Sequence, residues 1–460
     1  MHDPHSERMS SGETRAASGL ALVFAFRMLG MFMVLPVLAT YGMDLAGATP
    51  ALIGLAIGAY GLTQAIFQIP FGIISDRIGR RPVIYLGLIV FALGSVLAAQ
   101  SDYIWGVIAG RVLQGAGAIS AAVMALLSDL TREQHRTKAM AMIGMTIGIT
   151  FAVSLVLGPL MAKLVGVPGI FVLTGVLTLT ALLGVRFFIP DPPLSSFHSD
   201  AEANPASLPT ILRHGQLLRL NFGIFALHAA QMAMFVVIPF ALTETAGLDK
   251  AHHWQVYLPV VVVGFLLMIP AIIYGEKRGK LKPVFVGAIA LMALTQLGLV
   301  FSLHTFWQLT FLLGAYFVAF NILEASLPSL VSKIAPADAK GTAMGVYNTA
   351  QSLGLFLGAV VGGWCYGQGG AVWVFAFCCT MMSAWLLVAL SMRTPPPVKT
   401  KMFHINEGWQ GDAAQLSSRL RAVSGVQEAV VIAAEHVAYL KVSQSGWDEA
   451  GVQQLIKETY

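Results

Sequence analysis

Four ionisable side chains sit within stretches of chain that are otherwise apolar: Arg27, Arg111, His228 and Glu324. A charge inside hydrocarbon costs about 2.5–3.5 kcal/mol even on the mild insertion scale, so each should face an interior and a partner. Their chemistry is proton chemistry. Imidazole is the side chain whose ordinary pKa lies nearest neutrality, and a carboxylate is costly in apolar surroundings unless it is paired or carries a proton. Glu324, with His228, is therefore expected to take up and release a proton while the fixed cation Arg27 tunes it. Arg111 lies about eight residues into its apolar run, about 12 Å deep at 1.5 Å per residue. A structural arginine bonded to carbonyls, and a histidine held by packing, remain the plainer alternatives. The neutral residues Gln64, Gln68, Gln231, Asn321, Asn348 and Gln351 either line a cavity or bond one helix to another.

The elements that must position these groups follow from composition. Of 460 residues, 56% are apolar and only 11% charged, where a soluble domain carries about 25% charge. That excludes both a soluble globular chain and a disordered one. Twelve apolar runs reach the length needed to cross about 30 Å of hydrocarbon: 18–42, 51–74, 82–99, 103–127, 138–162, 168–188, 218–242, 254–274, 283–301, 306–331, 341–364 and 371–392. No series of short alternating segments suggests a barrel. The residues before 18 are polar and contain no short apolar core ahead of a cleavage site, so no removed signal peptide is expected.

Placement of charge matters more than the net +5. Twenty Lys and Arg residues fall on the loops of one side and only Lys163 and Lys250 on the other, which puts both termini in the cytoplasm and makes nucleic acid an unneeded partner. Cys365, Cys378 and Cys379 all lie in apolar runs, so neither a disulfide framework nor a metal site is expected.

The chain repeats. A shift of 201 residues lays Phe24, Ala25 and Arg27 over Phe225, Ala226 and His228, and Pro82 over Pro283. Two parallel six-helix halves are expected, 1–188 and 218–393, joined by a polar linker, 189–217, that contains Pro190, Pro192, Pro193 and Pro205. A spacer at 394–400 with Pro395, Pro396 and Pro397 leads to a last segment, 401–460, of soluble-domain periodicity. Its expected order is strand 401–405, helix 413–423, strands 430–434 and 438–442, and helix 448–458. That order suits an α+β ferredoxin-like module whose last strand is missing or only weakly marked.

The loop after the second run reads Gly72, Ile73, Ile74, Ser75, Asp76, Arg77, Ile78, Gly79, Arg80, Arg81. It fits the pattern G-x-x-x-D-(R/K)-x-G-R-(R/K) at every position and resembles the signature of the major facilitator superfamily. Gly72 allows close approach of another helix and Gly79 a tight turn. The second-half counterpart at 275–280 is degenerate. The resemblance implies a twelve-helix fold of two pseudo-symmetric halves in a cell inner membrane, moving a small molecule and protons. It implies that Asp129 bonds Arg80 and that Asp76 meets the start of span eleven near Lys340 and Gly341, latching the halves. It also links Arg111, in an R-x-x-Q-G pattern with Gln114 and Gly115, to proton coupling. Gly158 and Pro159 in span five resemble part of a motif of the drug:proton antiporters, with Ser154 and Ala162 in place of two of its glycines.

The last segment resembles the heavy-metal-associated module, yet its loop 405–412 has no cysteine, and His404 and His436 do not make a site. A regulatory or docking role toward a ligand or protein partner is expected instead. No Walker A lysine loop appears, so no nucleotide or other cofactor is expected. The expected activity is proton-coupled export of a small molecule, with no enzymatic step. A proton-coupled nutrient importer and a non-transporting sensor that signals through the tail remain alternatives.

Overall fold

The helix starts are written in capping residues. Ser10 and Glu13 cap each other's backbone before α1 (Ser11–Tyr41). Thr49 caps α2 (Pro50–Ile78), whose first residue is the proline that a helix start accepts. Gly79, at φ 97°, then turns the chain directly into α3 (Arg80–Ala99), a conformation that costs a residue with a Cβ. The computed structural model describes residues 9–190, 205–244, 246–301, 305–336, 339–394, 398–406, 408–433, 436–443 and 446–459. Pro192, Pro193, Pro395, Pro396 and Pro397, the expected marks of linker and spacer, lie outside the described residues.

The protein is mostly helical. Among the described residues ten helical stretches are long and apolar enough to cross a membrane. The fourth expected run is divided into α4 (Ile104–Ala116) and α5 (Ser120–Asp129), with non-helical backbone at Gly117. Two stretches are far longer than a bilayer requires: α6 (Glu133–Phe188) leaves helical geometry at Gly166, and α12 (Lys340–Leu390) at Gly369 and Gly370. The remaining long helices are α8 (Gly215–Glu244), α9 (Trp254–Lys277), α10 (Leu281–Phe301) and α11 (Phe306–Ile334). Within the expected linker the chain forms a short helix, α7 (Leu208–Arg213), anchored by the buried Ile211.

Small residues set the packing. In lipid there is little hydrophobic drive between helices, so close backbone approach decides which of them meet. A Cβ on Gly158 of α6 would stand 2.8 Å from the Met33 carbonyl of α1, and one on Gly358 of α12 would stand 2.1 Å from the Ala229 carbonyl of α8. These two tight pairs lie one in each repeat. The helix ends repeat too. Arg81 donates to the carbonyls of Val185 and Ile189 at the end of α6, and Lys282 donates to those of Leu390 and Met392 at the end of α12, at 3.1 and 2.5 Å. Residues 81 and 189 shifted by 201 are 282 and 390, so the internal repeat holds at single hydrogen bonds. Cations suit helix C-termini, where carbonyls lack partners.

The tail forms β1 (Val398–His404), α13 (Ala413–Arg421), β2 (Val426–Ile432), β3 (Val437–Ser443) and α14 (Glu449–Lys457). The sheet order is β1-β3-β2, antiparallel throughout, with Val398 opposite Ser443 and Val426 opposite Val442. Leu416 and Leu420 of α13 and Val452 and Ile456 of α14 pack on one face with Ala438, Leu440 and Val442. On the other face Val437 and Tyr439 are buried as well. There Lys441 Nζ pairs with Glu428 at 2.8 Å and donates to the Ala335 carbonyl just past α11, at 2.5 Å.

Candidate functional site

His228 on α8 and Glu324 on α11 meet: imidazole Nε2 and carboxyl Oε2 stand 3.8 Å apart. His228 is held by its own helix and by α12. Its Nδ1 lies 3.3 Å from the Ile224 carbonyl and its Nε2 2.8 Å from Gln351 Nε2. With the Nδ1 hydrogen donated to Ile224, Nε2 is the acceptor for the Gln351 amide. A proton arriving on Nε2 would turn that nitrogen into a donor. Gln351 would then have to present its oxygen, or the ring would have to turn to the Glu324 carboxylate. Protonation and side-chain geometry are thus linked at this pair. His228 is buried, whereas the Glu324 side chain is 38% exposed although its Oε2 is enclosed and makes no hydrogen bond among the described residues. Phe320 closes the ring's other side, 6.1 Å from it edge to face.

Further polar groups of this half are buried without hydrogen-bond partners among the described residues. They include Asn321 Nδ2 and the hydroxyls of Tyr257, Tyr316 and Tyr347. Leaving such a group unmet costs about 1–3 kcal/mol.

Arg27 and Arg111 are fully buried, but in the other half. Arg27 donates to Tyr60 Oη at 2.9 Å, to the Gly117 carbonyl at 3.2 Å and to Ser120 Oγ at 3.3 Å. Its partners lie across the division between α4 and α5, where it shares the Gly117 carbonyl with the Ile119 backbone N–H. Arg111 donates to the carbonyls of Ala56 and Ile57 on α2 and to Gln114 at 2.9 Å. Gln114 in turn reaches Ser95 on α3 at 2.8 Å. Both guanidinium groups lie over the Tyr60 ring, at 5.8 and 5.1 Å from its centroid. The expected tuning of the proton pair by Arg27 has no direct contact behind it among the described residues. The side chain is engaged with Tyr60 and Gly117, and neither arginine is joined to His228 or Glu324.

The loop motif folds back on its own half. Arg80 is buried, pairs with Asp76 and Ser75, and lies 3.4 Å from Asp129 Oδ2. Gly72 packs with its Cα facing Ala121, and Arg77 is exposed. Asp76 is bonded to Arg80 rather than to the start of α12, because the two halves approach at the opposite end. There a Cβ on Gly54 would stand 2.2 Å from the Ala359 carbonyl and one on Gly58 2.7 Å from that of Phe356. Lys250 Nζ reaches the Thr40 carbonyl at 3.4 Å on the same side. At the span-five motif Gly158 admits α1, and Ser154 donates to the Leu29 carbonyl at 3.2 Å. Pro159 lies within the same helix.

Sequence reasoning missed Glu13. Its carboxylate is buried and takes Arg132 by the backbone N–H at 2.8 Å, Nε at 3.0 Å and Nη2 at 2.9 Å, tying the start of α1 to the start of α6. The available signal was the Ser10–Glu13 capping pair; its partner, 119 residues away, left no local trace. Tyr60 was missed as well, since a lone tyrosine in an apolar helix reads as core.

The family model described as Major Facilitator Superfamily matches residues 20–276 and 262–432. The inner membrane transport protein YajR of Escherichia coli is 47% identical over 451 residues, covering 98% of this chain and 99% of that one. The multidrug resistance protein MdtH of Aeromonas hydrophila is 26% identical over 366 residues, covering 78% and 87%. Among solved structures, the nucleoside transporter NupG aligns with a TM-score of 0.65 at 13% identity, covering 82% of this chain and 99% of that one; that likeness is one of fold.

Proposed function

The chain belongs to the major facilitator superfamily, and on that footing we propose that it is a proton-coupled secondary transporter exporting a small molecule in exchange for protons. As a member it is a membrane transport protein rather than an enzyme, with a small-molecule substrate and the lipid bilayer around it. Taking α6 at Gly166 and α12 at Gly369 each as two spans turns ten stretches into twelve. The reading then has two halves of six, 1–188 and 218–393, and both termini in the cytoplasm of a cell whose inner membrane holds the protein. The tail, 401–460, is read as ferredoxin-like without its last strand, because β3 lies antiparallel between β1 and β2.

On this orientation the contacts of Gly54 and Gly58 with α12 close the outer side. The motif Asp76, held by Arg80 and not by α12, belongs to a state open toward the cytoplasm. Alternating access is the exchange of these two closures: outer contacts part as Asp76 moves to the start of α12. The observation that carries the proton assignment is the His228–Glu324 pair, two titratable groups 3.8 Å apart in the membrane interior with Gln351 as a switchable partner. In our reading Glu324 takes the proton from one side and gives it up to the other, and His228 stabilises the carboxylate in between. Arg27 and Arg111 act as fixed cations that hold α1, α2 and α4 together, so the N-terminal half moves as one body.

Export is favoured over import by Gly158 and Pro159 and by relatives such as MdtH, whose name records multidrug resistance. A sensor is the second reading, favoured by the tail sheet that Lys441 ties to the end of α11. Proteoliposomes filled with a pH-sensitive dye and exposed to a compound panel test the proposal. A transported compound should move protons against its own direction in the wild type, and Glu324→Gln should abolish that exchange. Protons moving with the compound would make it an importer, and no flux across the panel would favour the sensor.

A further inference from the structure

The connections α1–α2 and α8–α9 match each other at a shift of 200 residues. Gly47 and Gly247 both turn the chain at positive φ, 74° and 65°. Thr49 and Asp249, two residues on, each accept a backbone N–H from the turn that follows, Leu52 at 3.2 Å and Ala251 at 2.9 Å. Pro50 and Lys250 come next, and each is turned onto the opposite half. A Cβ on Gly363 of α12 would stand 2.5 Å from the Pro50 carbonyl. Lys250 Nζ donates to the Thr40 carbonyl of α1 at 3.4 Å and lies 5.0 Å from the centroid of the Tyr41 ring. Thr40 and Tyr41 end α1, where a helix leaves carbonyls over and draws cations.

The turn that carries Lys250 is itself well fixed. Its ends are joined by His253, 1% exposed, whose Nε2 lies 3.2 Å from Thr243 Oγ1, and Ala251 beside it is buried. Asp249 faces His252 at 3.6 Å, which leaves the ammonium to the other half. Of the two lysines expected at this end, Lys163 is exposed, whereas Lys250 crosses. We propose that Lys250 is a charge latch that holds this end of the two halves shut, and so a positioning residue for transport. The inference rests on the reading that the halves part here. The arm between α2 and α12 is one of van der Waals contact, which loses a quarter to a half of its attraction over a gap of about 0.5–1 Å. The pull of the ammonium on ring and carbonyl falls off more slowly, and a lysine stem can follow a moving partner. The Lys250 arm therefore sets how readily the closed ends separate.

Double electron–electron resonance on the full chain in lipid nanodiscs reads the separation of the halves at this end. The labels go on Ala51 and Gln255, both exposed, with Cys365, Cys378 and Cys379 replaced by alanine. Lys250→Met keeps the stem and removes the charge. It should raise the ratio of long to short distances about fivefold to thirtyfold, the worth of one such contact. Lys250→Arg should stay near the parent, because its cation still reaches ring and carbonyl. Tyr41→Phe keeps a ring face for the cation and should match the parent, whereas Tyr41→Leu should open. A Lys250→Met distribution identical to the parent's would overturn the proposal. So would equal opening in Lys250→Met and Lys250→Arg, which would assign the effect to shape and not to charge. Gly58→Leu breaks the other arm and belongs in the same measurement. If it lengthens the distance and Lys250→Met does not, the halves part and only the latch fails; if neither does, the reading of parting halves fails too. No substrate or proton gradient enters, so the assignment of Glu324 is untouched by either result.

Discussion

Each buried arginine of the N-terminal half solves a different problem from the proposed proton pair of the C-terminal half. Arg27 has three hydrogen bonds and, among the described residues, no carboxylate; it shares its Gly117 carbonyl acceptor with the Ile119 N–H. Arg27→Met should therefore lower the thermal unfolding midpoint of the purified protein, at a cost of about 1–3 kcal/mol for the hydrogen bonds lost. Tyr60→Phe, which removes one of the three acceptors, should fall between that variant and the wild type. An unchanged midpoint in Arg27→Met would show that the division between α4 and α5 does not depend on this side chain. At this scale the sequence was legible wherever a charge stood in an apolar run, because such a charge is costly and has to be explained. His228 and Glu324 were read in that way, and they lie together. Gln351 reads as lining a cavity or bonding helices, but its partner His228 is not legible; Tyr60 and Glu13 likewise acquire their meaning only from partners far along the chain.

Elements are governed by small residues and by breaks. Gly54 and Gly58 let α2 come within backbone contact of α12, and both would drive a Cβ into a carbonyl of the facing helix. Gly58→Leu should hold that end of the two halves apart. Spin labels at Ala51 and Gln368, both exposed, should then show a longer distance by double electron–electron resonance than in the parent pair. An identical distance distribution would mean that the glycine contact does not limit closure. The apolar runs placed these helices well, because length and hydropathy are imposed by the bilayer. Two features escaped that reasoning. The fourth run is interrupted at Gly117, where the cost of non-helical backbone is offset by Arg27 from another helix. The short helix α7 lies where a polar linker was expected, since burial of Ile211 against its neighbours could not be foreseen from composition.

For the whole molecule, the two halves repeat down to the cations on their last helices, Arg81 and Lys282, while the chemistry has diverged: fixed cations in one half, a titratable pair in the other. The tail's strand and helix order was readable from its periodicity. Its attachment was not, because Lys441 looks like an ordinary strand lysine until its Nζ is seen against the Ala335 carbonyl. Lys441→Ala should loosen that attachment and speed protease cleavage between α12 and β1; an unchanged rate would mean the sheet face alone holds the tail. Glu324, beside His228, is proposed to carry the exchanged proton. Difference infrared spectroscopy of the lipid-embedded protein between acid and alkaline pH observes protonated carboxyl groups directly. The expected result is a carbonyl band present in the wild type, absent in Glu324→Gln and shifted in His228→Asn. A spectrum in which Glu324→Gln retains every carboxyl band of the wild type would contradict it.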